Sequence, residues 1–359
     1  MKAAGMLTVM LGFLAADLYV CWRIWQILPL SNFWKTVFAV LYLLGTVIVF
    51  AGFGGGLEKL PVVGAAVAYE YGNTVLIFFL YALMAFLLLD AGRILHLVDG
   101  SLLKDSVVGS AVVFGAVSLL LAYGGFHYHH KYREEMTMES SAISSPVRIV
   151  LASDLHLGYH NRRSELRRWV DMINAERPDY VLLAGDLIDI SVRPLLKWNY
   201  APELRRLKAP VLACLGNHEY YAREPLAAEF YDLAGIRLLR DEAVRLGELT
   251  VIGRDDATNR NRAPLAGIVP EVEGFKLLLD HQPSDLSEAQ RCGIDFQFSG
   301  HTHHGQVWPV SLITERIFED AYGPLQKGKT RYYVTSGLGI WGGKFRIGTR
   351  SEYVVLNLQ

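Results

Sequence analysis

Four apolar runs crowd the first third of the chain: Leu7–Leu28, Thr36–Phe53, Thr74–Leu89 and Val107–Tyr123. With their flanks, each approaches the roughly 20 residues that a helix needs to cross a bilayer core. The first is too long for a cleaved signal peptide, and Trp22, Arg23 and Trp25 stand where a small-residue cleavage site belongs. Trp34, Tyr42, Tyr71 and Tyr123 fall near segment ends, at the depth that amphipathic rings favour. A four-helix transmembrane region is expected over residues 1–126, multi-pass in the cell membrane. Asp17 is expected to face the bundle or pair with Arg23, and Glu70 to reach an interface, because a charge in lipid is expensive.

Charge divides the chain in the same place. Residues 1–126 carry twelve Asp, Glu, Lys or Arg, and the other 233 residues carry fifty-nine, an ordinary density for a soluble domain. The net charge of −1 gives no basic face for nucleic acid. The three cysteines have no C-x-x-C spacing, so neither a zinc ribbon nor a disulfide framework is indicated. Lys2, Lys59, Lys131 and Arg133 flank one side of the helices and Arg23, Lys35, Arg93 and Lys104 the other, so the positive-inside count ties and leaves the side of the membrane open. Residues 127–146, with clustered histidines, mixed charges and serines, read as a juxtamembrane linker. As a flexible coil it would reach about 25 Å.

Residues 147–359 alternate strand and helix. Short apolar runs at Val147–Ala152, Tyr180–Ala184, Val211–Leu215, Lys276–Leu279 and Phe296–Ser299 read as strands, with a helix over Asn161–Glu176 and another around Pro202–Leu207. More closely spaced strands, Leu249–Gly253, Arg331–Ser336 and Tyr353–Leu358 among them, favour a second sheet packed on the first. The expected fold is an all-α membrane bundle followed by an α/β domain with layered αββα organisation.

Each of the main strands ends in a polar block. The blocks are Asp154-Leu155-His156, Gly185-Asp186 with Asp189, Gly216-Asn217-His218-Glu219, a lone His281, and Gly300-His301-Thr302-His303. Loops just past strands are where α/β folds gather functional groups. Carboxylate and amide oxygens mixed with imidazoles suit divalent transition ions better than Ca²⁺ or a thiolate-bound zinc. Left without a cation, so many buried polar groups would cost several kcal/mol.

These five blocks, in this order, resemble the calcineurin-like metallophosphoesterases, with coverage from about Val147 to Leu358. The stretch Gly300–Pro309 looks like the G-H-T-H-x-G-Q signature of a bacterial-type, membrane-tethered subgroup, although His304 stands where a glycine is usual. The resemblance implies two divalent ions, Mn²⁺, Fe or Zn²⁺. Asp154, His156, Asp186 and His303 would hold one, and Asp186, Asn217, His281 and His301 the other. It implies cleavage of a phosphodiester or phosphomonoester by a hydroxide bridging the ions. His218 would protonate the leaving oxygen and Asp189 would hold its imidazole. Glu219 is expected to be structural, and His160 and His304 to lie on the rim.

Two other readings compete: a pyrophosphohydrolase acting on a nucleotide-linked lipid such as a lipid-A precursor, and a non-catalytic membrane receptor or binding module. The His218–Asp189 pair argues against the last, since a binder has no use for a leaving-group acid. Lys344, Arg346 and Arg350 are expected to form a basic cluster that attracts anionic lipid. The substrate is a phosphoester, with a lipid favoured; oligomeric state is not legible.

Overall fold

The computed structural model describes residues 2–359. They form two compact units, one from the first 126 residues with Gly342–Phe345, the other from His127–Trp341 and Arg346–Gln359.

The first unit contains α1 (Lys2–Ile27), α2 (Asn32–Phe53), α3 (Val62–Ile94) and all but the last turn of α4 (Val107–His129). All four are long and apolar enough to cross a membrane. α3 starts twelve residues before its apolar run, because Ala65, Ala66 and Ala68 sustain a helix where Gly64, Gly72 and Asn73 interrupt the hydropathy. Asp17 faces the bundle and is buried. Its Oδ1 accepts from the Tyr42 hydroxyl at 2.5 Å and the Thr46 hydroxyl at 3.1 Å. Arg23 does not pair with it; the guanidinium binds Asp90 of α3, with Nε at 2.9 Å from Oδ2.

The second unit begins with β1 (Lys131–Met138), β2 (Val147–Ala152), α5 (Arg163–Ala175) and β3 (Tyr180–Ala184). Two short helices, α6 (Arg193–Lys197) and α7 (Ala201–Leu204), lead to β4 (Val211–Cys214), α8 (Asn217–Tyr221), α9 (Glu224–Ala234) and β5 (Arg237–Leu238). Next come β6 (Glu242–Leu246), β7 (Leu249–Gly253), β8 (Phe275–Leu279), α10 (Leu286–Arg291) and β9 (Phe296–Ser299). The chain closes with α11 (Val310–Ile317), β10 (Gly323–Lys327), β11 (Thr330–Val334) and β12 (Ser351–Leu358).

One sheet runs β1-β12-β2-β3-β4-β5, the other β10-β11-β9-β8-β7-β6. The period-two alternation of strand side chains builds three apolar layers. Ile149 and Leu151 of β2 meet Leu277, Leu279, Phe296 and Phe298 between the sheets. Val150 and Ala152 point the other way, onto Leu166, Trp169, Val170 and Ile173 of α5. Ile252, Leu278 and Tyr332 pack outward on Leu286 and Ala289 of α10. The result is the expected αββα order.

Two sequence expectations fail. The last strand does not join the second sheet: β12 inserts between β1 and β2, antiparallel to β2. Nearly every residue of β12 is buried, as befits a central strand apolar on both faces. Nor is 127–146 a flexible coil. Lys131–Met138 pairs with Ser351–Leu358 residue for residue, so a coil's reach does not describe it. Its charges suit an exposed edge strand, where they discourage pairing with other chains.

Candidate metal centre

Every block lies at a strand's C-terminal end. Asp154 and His156 follow β2, Asp186 follows β3, Asn217 and His218 open α8 after β4, His281 follows β8, and His301 and His303 follow β9. Parallel pairing of β2, β3 and β4, and of β7, β8 and β9, brings these loops to one edge of the sandwich.

The backbone there is strained. Asp154, His156, Asp186, His301 and His303 all have left-handed φ, between 44° and 71°, which costs a non-glycine residue of order 1 kcal/mol or more and clusters at functional sites. Of the neighbouring glycines, Gly185 takes φ +79°. Gly216 is required for space instead: a Cβ would lie 2.2 Å from Asp186 Oδ1.

The side chains of these blocks converge. His156 Nε2 and His303 Nε2 are 3.0 Å apart, and His303 Nε2 is 3.2 Å from Asp154 Oδ1. Asp186 Oδ2 lies 3.6 Å from His156 Nε2 and 3.2 Å from His281 Nε2. Asn217 Oδ1 is 3.2 Å from His281 Nε2 and 2.7 Å from His301 Nδ1. The other nitrogen of His281, Nδ1, faces the Ala184 carbonyl at 2.8 Å, which fixes the ring with Nε2 aimed inward. Asp186 thus stands between two groups of donors. Three buried sets, Asp154/His156/His303, Asp154/Asp186/His281 and His156/Asp189/His218, are each compact enough to hold an ion.

A family model described as calcineurin-like phosphoesterase matches residues 147–305. An uncharacterized metallophosphoesterase of Campylobacter jejuni is 31% identical over 258 residues, 68% of this chain and 68% of its own length. The chain belongs to the calcineurin-like metallophosphoesterases. A family relative in Aquifex aeolicus, also an uncharacterized metallophosphoesterase, is 30% identical over 67% of this chain and 97% of its own. A zebrafish (Danio rerio) transmembrane protein with metallophosphoesterase domain is 34% identical over 57% of this chain and 52% of its own length. Among solved structures, a 5′-nucleotidase precursor from Thermus thermophilus is similar over 60% of this chain and 54% of that one, at 14% identity and a TM-score of 0.36. The chain is a metal-dependent phosphoesterase with membrane-associated helices.

Its donor set fits divalent cations. Oxygen and imidazole donors are mixed, and none of the three sets includes a cysteine; Cys214, the last residue of β4, is buried in the core between the sheets. Several buried atoms lack a well-angled hydrogen bond, including Nδ1 of His156, His218 and His303 and both oxygens of Asp189. Electrostatics point the same way. Despite burial, which works against it, the neighbouring imidazoles His303 and His156 hold the Asp154 carboxyl well below the usual range. Asp186 is depressed likewise, chiefly by His281 and His218 against the effect of burial. Burial disfavours the His156 cation, yet the Asp154 and Asp189 carboxylates push it up to about 10. Burial carries His303 down to about 4 against the pull of Asp154. The carboxylates of Asp154 and Asp189 thus favour positive charge at His156 but not at His303.

Around this centre stand the supporting residues. Asp189 Oδ1 is 3.2 Å from His218 Nδ1 and 3.4 Å from His156 Nδ1. Glu219 accepts from the backbone of Asp186, Ile188 and Gly216 and from the Tyr231 hydroxyl, lacing two site loops together as a structural residue should. His304 does lie at the rim, stacked on Tyr322 with Nε2 2.9 Å from Glu315. His160 does not: it is fully buried, with Nε2 2.6 Å from the Ile340 carbonyl and Nδ1 3.7 Å from Asp189.

Two supports escaped the sequence reading. Asn161 donates to the carbonyls of Leu155, His156 and Ile340. Arg346 is completely buried and donates to the carbonyls of His303, Ser336 and Gly339. Arg350 binds Glu352 and Glu134. Two of the three cations expected to form a basic cluster for lipid are therefore engaged elsewhere: the Arg346 guanidinium on backbone carbonyls and that of Arg350 on carboxylates. Each of these supports has one partner far along the chain, the Ile340 carbonyl for Asn161 and the His303 carbonyl for Arg346, which no local pattern marks.

Proposed function

We propose that this phosphoesterase uses two divalent transition ions to hydrolyse a phosphoester carried by an amphiphile. Asp154, His156, Asp186 and His303 would hold one ion; Asp186, Asn217, His281 and His301 would hold the other, with Asp186 common to both sets. Divalent ions held there would supply Lewis-acid polarisation of the phosphoryl oxygens and acidify a bound water. Two divalent ions against the carboxylates of Asp154 and Asp186 leave the site net positive, which draws an anionic phosphoryl group.

The catalytic reading is carried by His218 beside the donor cluster. Its Nδ1 faces Asp189, which is fully buried, while its own side chain keeps 12% exposure. The remaining nitrogen, Nε2, is thus the one able to meet substrate, and it hands a proton to the leaving oxygen. Such general-acid transfer is worth about 10²–10⁴ in rate. Asp189 orients the ring. A receptor has no use for this arrangement.

The amphiphile reading rests on four helices suited to crossing a membrane in the same chain. The test is the full-length protein in vesicles, loaded with Mn²⁺ and given a phospholipid-like and a water-soluble diester. Metal-dependent turnover of both is expected, with the higher kcat/KM for the amphiphile. No turnover of either sinks the hydrolytic reading, and equal efficiency on both sinks the amphiphile.

A further inference from the structure

Directly beyond the His301–His303 loop the chain leaves apolar side chains in the open. Trp308 is 47% exposed, Leu312 50%, Ile313 56% and Ile317 67%. Within α11 only Ser311 is buried. At about 100° per residue, Leu312, Arg316, Ile313 and Ile317 share an arc of about 140°. The basic side chain sits inside the apolar arc, and Glu315 falls outside it, bound to His304 at 2.9 Å.

This segment is tied down at both ends, and at its far end against the metal-centre loop. Trp308 N–H donates to the Ile347 carbonyl at 2.7 Å. At the far end, the Phe318 ring lies 5.9 Å from that of His301, and the Thr302 hydroxyl donates to the Ala321 carbonyl at 2.7 Å. Whatever covers α11 is therefore held close to the reacting group.

A second copy of the chain is a poor occupant. A stable dimer needs about 800 Å² and 20–30 residues a side, and a ten-residue segment with four apolar side chains falls well short. An interfacial tryptophan, aliphatic side chains and an arginine that can snorkel are what a helix lying in a lipid headgroup layer carries. The chain's own helices suit it to a membrane. We propose that Trp308 and α11 form a monotopic contact with the bilayer. Leu312, Ile313 and Ile317 seat at the headgroup–acyl boundary, and the His301–His303 loop is thereby offered to headgroup phosphoesters. The inference deepens the amphiphile reading and rests on it for its catalytic consequence.

The direct test needs no turnover. The full-length protein is reconstituted in phosphatidylcholine–phosphatidylglycerol vesicles containing lipids brominated at shallow or deep acyl positions. Trp308→Phe should remove part of the quenchable tryptophan emission, most of it with the shallow label. Identical quenching in wild type and variant overturns the contact. The second test is the triple variant Leu312→Ser, Ile313→Ser, Ile317→Ser. It should lose kcat/KM several-fold on a vesicle-borne phosphodiester and keep its rate on bis(4-nitrophenyl) phosphate. Unchanged rates on both, or an equal loss on both, overturn the proposal, the latter by making α11 a support for the metal loop. A dimer in detergent that the triple variant abolishes also overturns it, in favour of a second copy. If the wild type turns over neither substrate, the hydrolytic reading fails, while quenching still decides the contact.

Discussion

The Asp189 carboxylate lies 3.2 Å from Nδ1 of His218 and, through the same oxygen, 3.4 Å from Nδ1 of His156. One buried anion thus faces both the proposed leaving-group acid and an imidazole of the proposed donor set. His218→Ala should keep both metals and the fold while losing about 10²–10⁴ in kcat. The loss should shrink for acidic leaving groups such as nitrophenol, which barely need a proton. Asp189→Asn should differ from it by also weakening metal affinity, on the order of 10–100-fold, since partners that orient a ligand imidazole carry effects of that size. Metal titrations beside rates on a leaving-group series separate the two. Equal losses for good and poor leaving groups would remove His218 from the acid role.

Metal uptake should release protons. In the metal-free protein the Asp154 and Asp189 carboxylates outweigh burial and push His156 up to about 10, and His281 is raised beside Asp186. Both therefore hold a proton at pH 7 that a metal must displace, because only neutral imidazole binds. Apparent affinity should rise with pH from neutrality towards 10, by about tenfold per unit for each proton displaced. Calorimetric titrations at pH 7 in two buffers of different ionisation enthalpy give the proton count directly. A count of zero, or affinity that falls as pH rises over this range, contradicts the charge pattern described.

The polar blocks, strand ends and αββα layering were legible because they are local: a short apolar run, a glycine, then a ligand-type side chain. Tyr180–Ala184, Leu249–Gly253 and Phe296–Ser299 match the observed strands residue for residue. What was not legible is long-range. Tyr132, Glu134, Met136 and Met138 alternate along β1, but four charges in eight residues resemble a solvated stalk until β12 is seen beside them. Arg346 looks like a surface cation, and only the approach of the His303, Ser336 and Gly339 carbonyls makes it a core residue. His160 was misplaced for the same reason.

Arg346 gives a stability prediction. Its guanidinium serves three carbonyls in a fully buried site, and bonds to charged donors are worth about 1.5–3 kcal/mol each. Arg346→Ala should destabilise the second unit by on the order of 3 kcal/mol or more and loosen the His303 loop. Arg346→Lys should recover only part, lacking the planar fork. Thermal unfolding in detergent, followed together with metal retention, checks both; a melting temperature within error of wild type would assign Arg346 no such role.

The β1 strand gives another. Proteins beginning at residue 127 and at residue 147 differ by the strand that covers β12. The shorter one exposes the long apolar β12 as an edge, a template for aggregation. It should melt lower and aggregate at concentrations where the longer one stays monodisperse, as read by light scattering. Equal behaviour would return residues 127–146 to the status of a dispensable linker.

The central claim is that Asp186 joins two metal sites into one phosphoesterase centre. Its most direct test is metal content by mass spectrometry of the purified full-length protein after reconstitution with Mn²⁺, Fe²⁺ or Zn²⁺, for wild type and Asp186→Asn. The account predicts two ions per wild-type chain, turnover of a chromogenic phosphodiester that tracks their loading, and loss of both ions and turnover in the variant. Well under one ion per wild-type chain with every metal, or turnover that survives complete chelation, would contradict it.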